Sequence, residues 1–248
     1  MTITHRNTTG AAGGTTTGLS FTMPTGHALD DLLIAWAGGK PYNLSISAGT
    51  ILTDYTDRGS KTSGTTANGV GVGSCWVHAR TRTHDGSETV PSATLSATPS
   101  PRLSGMSAFS KTNPGPWDIQ STGGADVSAS GTALSITSDS AIDLKPGDVL
   151  VICIVAPDDT ALPVSGALSA AGINFSGGIA AFTTQGTTSG NDAAIYLVAV
   201  TVTSGTATVN VTYTDTLANS GESEAAAIFL RLREPAAVHA DDYWGAAA

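Results

Sequence analysis

The most basic stretch of the sequence is His78-Ala79-Arg80-Thr81-Arg82-Thr83-His84, with Asp85 following at once. On a strand the even positions share a face, so His78, Arg80, Arg82 and His84 line one side. A zinc site favours tighter pairs such as H-x3-H with a third ligand nearby, and here two arginines separate the histidines. The run therefore reads as a polar strand face. It is also a place where an acidic neighbour, such as another subunit's Asp-rich loop, could dock. Paired carboxylates occur at Asp30-Asp31, Asp54 with Asp57, Asp158-Asp159, Glu222 with Glu224, and Asp241-Asp242. Two carboxylates facing across a cleft hydrolyse glycosides. Most of these pairs sit among Gly, Ser, Thr and Pro, where Asp is favoured for turn-capping alone. Sugar-stacking aromatics are also missing, because 4 Trp and 5 Tyr are spread over the chain without forming a row. There is no G-x-S-x-G elbow and no D-x-[DN]-x-[DN]-G calcium loop. The expectation is a protein without catalysis, cofactor or metal.

Composition narrows the class further. The 248 residues are 12 % charged, with 20 acidic against 11 basic side chains and a formal net charge of −9. So few cations on a negative chain argue against nucleic-acid binding. Low charge combined with many Val, Ile and Thr argues against disorder. A 40 % apolar content can fill one large core or two ordinary ones. No window approaches the roughly 18 consecutive apolar residues of a membrane span. Cys75 and Cys153 sit inside apolar runs and read as buried small side chains, with a bridge between them left open. The start, Met1 to Arg6, lacks the apolar region of a secretory signal, so synthesis and retention in a cytosol are expected.

These side chains must be positioned by strands, because alternation fits the chain better than a helical period. Strands are expected at Leu19–Met23, Asp31–Ala37, Ser74–Thr83, Thr89–Leu95 and Gly105–Lys111, then at Ala133–Thr137, Asp148–Val155, Ile179–Thr184 and Ala225–Arg233. Ala193–Thr203 and Ala207–Tyr213, separated by Ser204-Gly205, read as a hairpin. The two halves also resemble each other. Asp31–Trp36 lines up with Asp148–Cys153, Cys75–Ala79 with Ile195–Ala199, and Met106–Phe109 with Ala226–Phe229. The economical account is an internal duplication. The expected fold is all-β, with two tandem β-sandwich, jelly-roll-like domains. Residues 1–118 would form the first sandwich with an N-terminal extended arm, 119–235 the second, and 236–248 a C-terminal tail. The join falls near Asn113-Pro114-Gly115-Pro116.

The pattern resembles the tandem β-sandwich structural proteins of tailed bacteriophages. In that family each copy opens with a Gly/Asp-Leu-Leu-Ile-Ala strand, here Asp31–Ala35 and Gly147–Ile152. An Ala-Gly loop follows, here Ala48-Gly49 and Ala171-Gly172, and an Ala-rich closing strand, here Gly105–Phe109 and Ala225–Leu230. The family commonly has Trp after Ala-Gly, whereas this chain has Thr50 and Ile173. The resemblance implies a virion component without catalysis: a capsid decoration, collar or tail-surface subunit made in the host cytoplasm. Its partners would be itself and other virion proteins, with a host glycan as a further possibility. Thr2–Thr17 and Pro235–Ala248 would reach into neighbours. Tyr243-Trp244, after Asp241-Asp242, suits either an anchor in a neighbour's pocket or packing onto its own domain. The rival readings are a receptor- or glycan-binding adhesin and, behind it, a glycan hydrolase.

Overall fold

The computed structural model describes residues 2–13, 18–39, 46–48, 54–63, 75–87, 91–95, 102–127, 132–156, 166–176, 179–186, 193–216 and 224–235. The elements of the first half are β1 (Thr4–Gly13), β2 (Gly18–Ser20), β3 (Leu32–Gly39), β4 (Ile46–Ala48), β5 (Thr56–Ser63), β6 (Cys75–Thr83), β7 (Ser92–Leu95) and β8 (Arg102–Ser110). The second half begins with β9 (Asp118–Asp126), β10 (Ala133–Ser138), β11 (Ile142–Leu144), β12 (Val149–Ala156), β13 (Ala167–Ala170) and β14 (Asn174–Phe175). It continues with β15 (Ile179–Gly186), β16 (Ala193–Ser204), β17 (Ala207–Val209), β18 (Val211–Thr216) and β19 (Ala225–Arg233). The all-β expectation holds.

Each half repeats one strand order. The first has a sheet β1-β8-β3-β6-β5 and a smaller sheet β2-β7-β4. The second has β9-β19-β12-β16, with β15 on β16, and β10-β18-β13. Strand for strand, β9, β10, β12, β13, β15, β16, β18 and β19 stand where β1 to β8 stand. The order 1-8-3-6 over 2-7-4 is jelly-roll-like, except that β5 and β15 extend the large sheets beside β6 and β16 rather than joining the small ones. In the second half the two sheets are joined along β9 and β10, where Thr137 pairs with Ala125 and Ser138 with Gly124. The small pair β11–β17 has no counterpart among the described residues of the first half.

The large sheets pack on each other, so both of their faces are covered. Along β3, Leu32, Ile34 and Trp36 face the second half, while Leu33, Ala35 and Ala37 face the small sheet β2-β7-β4. Along β12, Val149, Val151, Cys153 and Val155 enter the same shared core, and Leu150, Ile152 and Ile154 enter the core beneath β10 and β18. Such strands read as continuous apolar runs because neither face meets water. Each buried Val, Leu or Ile contributes about 1.5–3 kcal/mol. Close approach demands glycine at two points. A Cβ on Gly105 would overlap the Trp36 ring, and one on Gly38 would overlap Val155 Cγ2.

The structure corrects three expectations. Ala193–Thr203 and Ala207–Tyr213 do not pair as a hairpin. β16 lies in the large sheet against β12, whereas β17 pairs with β11 and β18 with β10 and β13. The Ser204-Gly205 turn is a corner between sheets, with Gly205 at φ 93° and placed where a Cβ would overlap the Gly172 carbonyl. Residues 4–13, expected within an arm reaching to neighbours, form β1 along β8 of the same sheet. Finally, two of the aligned segments slip: Cys75 stands where Ala193 stands, so Val77 and not Cys75 is the counterpart of Ile195, and Phe109 and Phe229 are not counterparts. Phe109 faces the shared core opposite Leu32, and the residue in that place in the second half is Leu232, opposite Val149. Phe229 points the other way, into the second-half core.

Gly105→Val should force the Trp36 ring out of its place and cost about 1–3 kcal/mol of unfolding free energy, as core overpacking does. Denaturant titration followed by tryptophan fluorescence checks it. An unchanged midpoint would contradict the packing described.

Candidate functional site

The basic strand forms as its parity requires, but its cations are turned inward and paired. His78 and Arg80 share a face of β6 with Trp76, and they are only 7 % and 8 % exposed. The pairing partner comes from β5, which runs antiparallel beside β6 and places Asp57 opposite Arg80. His78 Nε2 lies 3.0 Å from Asp57 Oδ1, and Arg80 Nη2 donates to Asp57 Oδ2 at 2.9 Å. Arg80 Nη1 also donates to the Tyr55 carbonyl at 3.3 Å. Farther along, Arg82 pairs with Asp85 at 3.0 Å and with Asp54 at 3.4 Å. Asp54 and Asp57, which the sequence offered as a carboxylate pair, thus act as counter-ions to the basic strand. His84 turns to the adjoining loop, where its ring meets His27 edge-on at 4.7 Å.

Electrostatics follow the burial. Burial lowers the His78 pKa, and Arg80 lowers it further, against an upward pull from Asp57. The imidazole therefore stays neutral in the fold. Partial burial pushes the Asp57 carboxyl up, but the Gly59 N–H, His78 and Arg80 together bring it below its ordinary value. Asp85 is also held low, chiefly by the Ser87 hydroxyl and N–H and then by Arg82.

A second constellation occurs once in each half. Asp31 and Asp148, both nearly inaccessible, precede β3 and β12. Asp31 Oδ2 accepts from Ala28 N at 2.7 Å, and Asp148 Oδ2 accepts from Lys145 N at 2.9 Å. Their own N–H groups return to the carbonyls of the same residues, closing one tight turn in each half. Each carboxylate then receives an arginine. In the first half this is Arg6, the bulged residue of β1, at 2.7 Å. In the second it is Arg233 from the end of β19, also at 2.7 Å, which additionally holds Asp143. Arg231 grips Asp118 through two bonds of 2.7 and 2.8 Å. Asp31 was legible in the sequence as a turn carboxylate; the arginines were not, because they arrive from distant strands.

Beside the first-half turn lies a cleft of about 240 Å³ lined by Arg6, Asp30, Asp31, Ser110 and Lys111, among others. Trp117 donates from Nε1 to the Asp30 carbonyl at 3.1 Å, with the Lys111 ammonium over its ring. Trp117 also packs on the shared core. Cys75 and Cys153 form no disulfide and are buried in that core, where the Cys75 thiol donates to the Val155 carbonyl at 3.3 Å. Among the described residues no group of three or more His, Cys, Asp or Glu converges as a metal site would need. No described helix is long and apolar enough to cross a membrane. Asp241, Asp242, Tyr243 and Trp244 lie outside the described residues, as do Asp158, Asp159 and Glu222.

No family model, curated protein or solved structure matches the chain.

Because folding lowers the His78 pKa, its stabilising share is present above its unfolded value of about 6.5 and is lost as pH falls below it. His78→Gln should therefore flatten the fall in unfolding free energy between about pH 7 and pH 5. Denaturant titrations of both proteins across that range check it, and parallel slopes would contradict it. Asp57→Asn should cost about 1–3 kcal/mol at neutral pH, because it removes the counter-charge of Arg80 and turns one of the two oxygens that serve His78 and Arg80 into a donor.

Proposed function

We propose that the chain is a non-catalytic structural subunit of a tailed-bacteriophage particle, a surface decoration, collar or tail accessory protein, acting by self-association and docking. The observation that carries this reading is the chemistry of the two outermost sheet faces. On the second half that face carries Ser135, Thr137, Thr212, Thr214, Ala167 and Ser169, and no charge. On the first half the outward positions described on β2 and β7 are Gly18, Ser20, Ser92 and Thr94, with Arg102 Nη1 3.9 Å from where a Cβ on Gly18 would stand. Charges are instead paired at turns and along β5 and β6. Faces poor in charge can be buried against a neighbour with little desolvation cost, and interface cores are depleted of charge in the same way.

Edge-to-edge pairing is the less favourable route. β1, β5 and β15 each carry a register irregularity, and β5 adds Asp57, Arg58 and Lys61, which are the usual ways of blunting an edge. Jelly rolls serve in viral capsids and also in lectins, so the fold supports the particle reading by analogy only. Under the same proposal Asp241, Asp242, Tyr243 and Trp244 supply the tail anchor. The paired run His78 to His84 contributes a contact only through the exposed edge around Arg82, Asp85 and Asp54.

The direct test is electron microscopy of particles carrying a labelled copy, which should show it at regular positions on head, collar or tail. Its absence from particles would overturn the proposal. A sugar-specific signal on a glycan array, with no particle density, would favour the adhesin. Removing residues 236–248, or placing Ser135→Lys with Thr214→Lys on the outer face, should abolish incorporation while leaving the fold's melting temperature within a few degrees. Normal incorporation of the truncated protein would refute the anchor. Normal incorporation of the lysine variant would refute the face.

A further inference from the structure

We infer that the two halves form a fused two-fold dimer, in which the shared core is an isologous interface and Gly38 and Val155 sit at its axis. A two-fold interface has a signature: if element i of one unit touches element j of the other, then j of the first touches i of the second. Every substantial strand-on-strand contact between the halves obeys it. β1 lies over β15, and β5, the counterpart of β15, lies over β9, the counterpart of β1. β8 meets β16 as β19 meets β6, β8 meets β15 as β19 meets β5, and β3 meets β16 as β12 meets β6. β3 meets its own counterpart β12, which is possible only at the axis.

Residue register locates that axis. Gly38 pairs with Val77 and Leu103, and Val155 with Ile195 and Ala226, so the two hold the same place in their sheets. They also touch, since a Cβ on Gly38 would overlap Val155 Cγ2. Equivalent residues of two units meet only on a two-fold. The pair there is one glycine and one valine. Two valines would collide and two glycines would leave a void, so each half fits the other better than it fits itself. The equivalent turns at Asp31 and Asp148 and the two outer sheet faces are carried on opposite sides of the same axis. The chain therefore presents two related surfaces to its surroundings as a single unit.

Paired cysteines test the symmetry in the full chain. A Cβ at Gly123 would stand 3.4 Å from Lys61 Cβ, close to the span of about 3.5–4.5 Å that a disulfide bridges. By register, Gly10 is the counterpart of Gly123, and Thr184 of Lys61. Lys61→Cys with Gly123→Cys should cross-link on mild oxidation, and so should Gly10→Cys with Thr184→Cys, each read as an intramolecular bridge by mass spectrometry. Bridging of the first pair alone would overturn the two-fold. A second measurement does not depend on cysteine: a protease site placed within residues 113–116 of the full chain should, once cut, leave both halves eluting together at the intact mass. Separation of the cut halves would show that the linker, not the interface, holds them.

Discussion

The packing of sheet β1-β8-β3-β6-β5 on sheet β9-β19-β12-β16-β15 removes solvent from both faces of β3 and β12, and most of the remaining architecture follows from that burial. A strand covered on both sides cannot carry a charge without a partner. Leu32 to Ala37 and Val149 to Ala156 are accordingly apolar throughout. Each large sheet then needs a lid for its outward face, supplied by β2-β7-β4 in one half and by β10-β18-β13 in the other. Four β layers result, with three cores between them.

Polar groups are pushed to the borders of this stack, where they are paired rather than left to solvent. Asp31 and Asp148 sit at the entrance to the two most buried strands. Each satisfies a turn N–H with one oxygen and takes an arginine as counter-ion. The basic face of β6 is handled likewise by Asp57, which lies at an exposed edge while its partners are buried. Among the described residues, the outermost sheets present mostly Ser, Thr, Ala and Gly to their surroundings. The proposed structural role rests on that division of charged and uncharged surface.

How much of this was legible in the sequence depended on whether a strand has an apolar face. β3, β6, β8, β12, β16 and β19 announced themselves, because burial on one or both faces writes itself into the side chains. β5, Thr-Asp-Arg-Gly-Ser-Lys-Thr-Ser, shows no such pattern: it is largely exposed and is held by backbone pairing with β6 and by contacts such as Lys61 to Asp139. Asp57 lies on it, so the partner of His78 and Arg80 was invisible even though their common face was correctly read. β1 and β9 escaped for a similar reason. Ser204-Gly205 marked a turn correctly, but a turn signal does not say whether the chain folds back in its own sheet or crosses to the next. The resemblance between halves was legible at Asp31 and Asp148, where a shared turn fixes the register. It slipped at Phe109, where only short apolar matches guided it.

A core shared by both halves makes the chain one cooperative unit although its strand order repeats. Differential scanning calorimetry compared with the van't Hoff enthalpy tests this most directly. The account predicts a single transition with the two enthalpies equal. Two resolved transitions, with one half melting while the other stays folded, would contradict it.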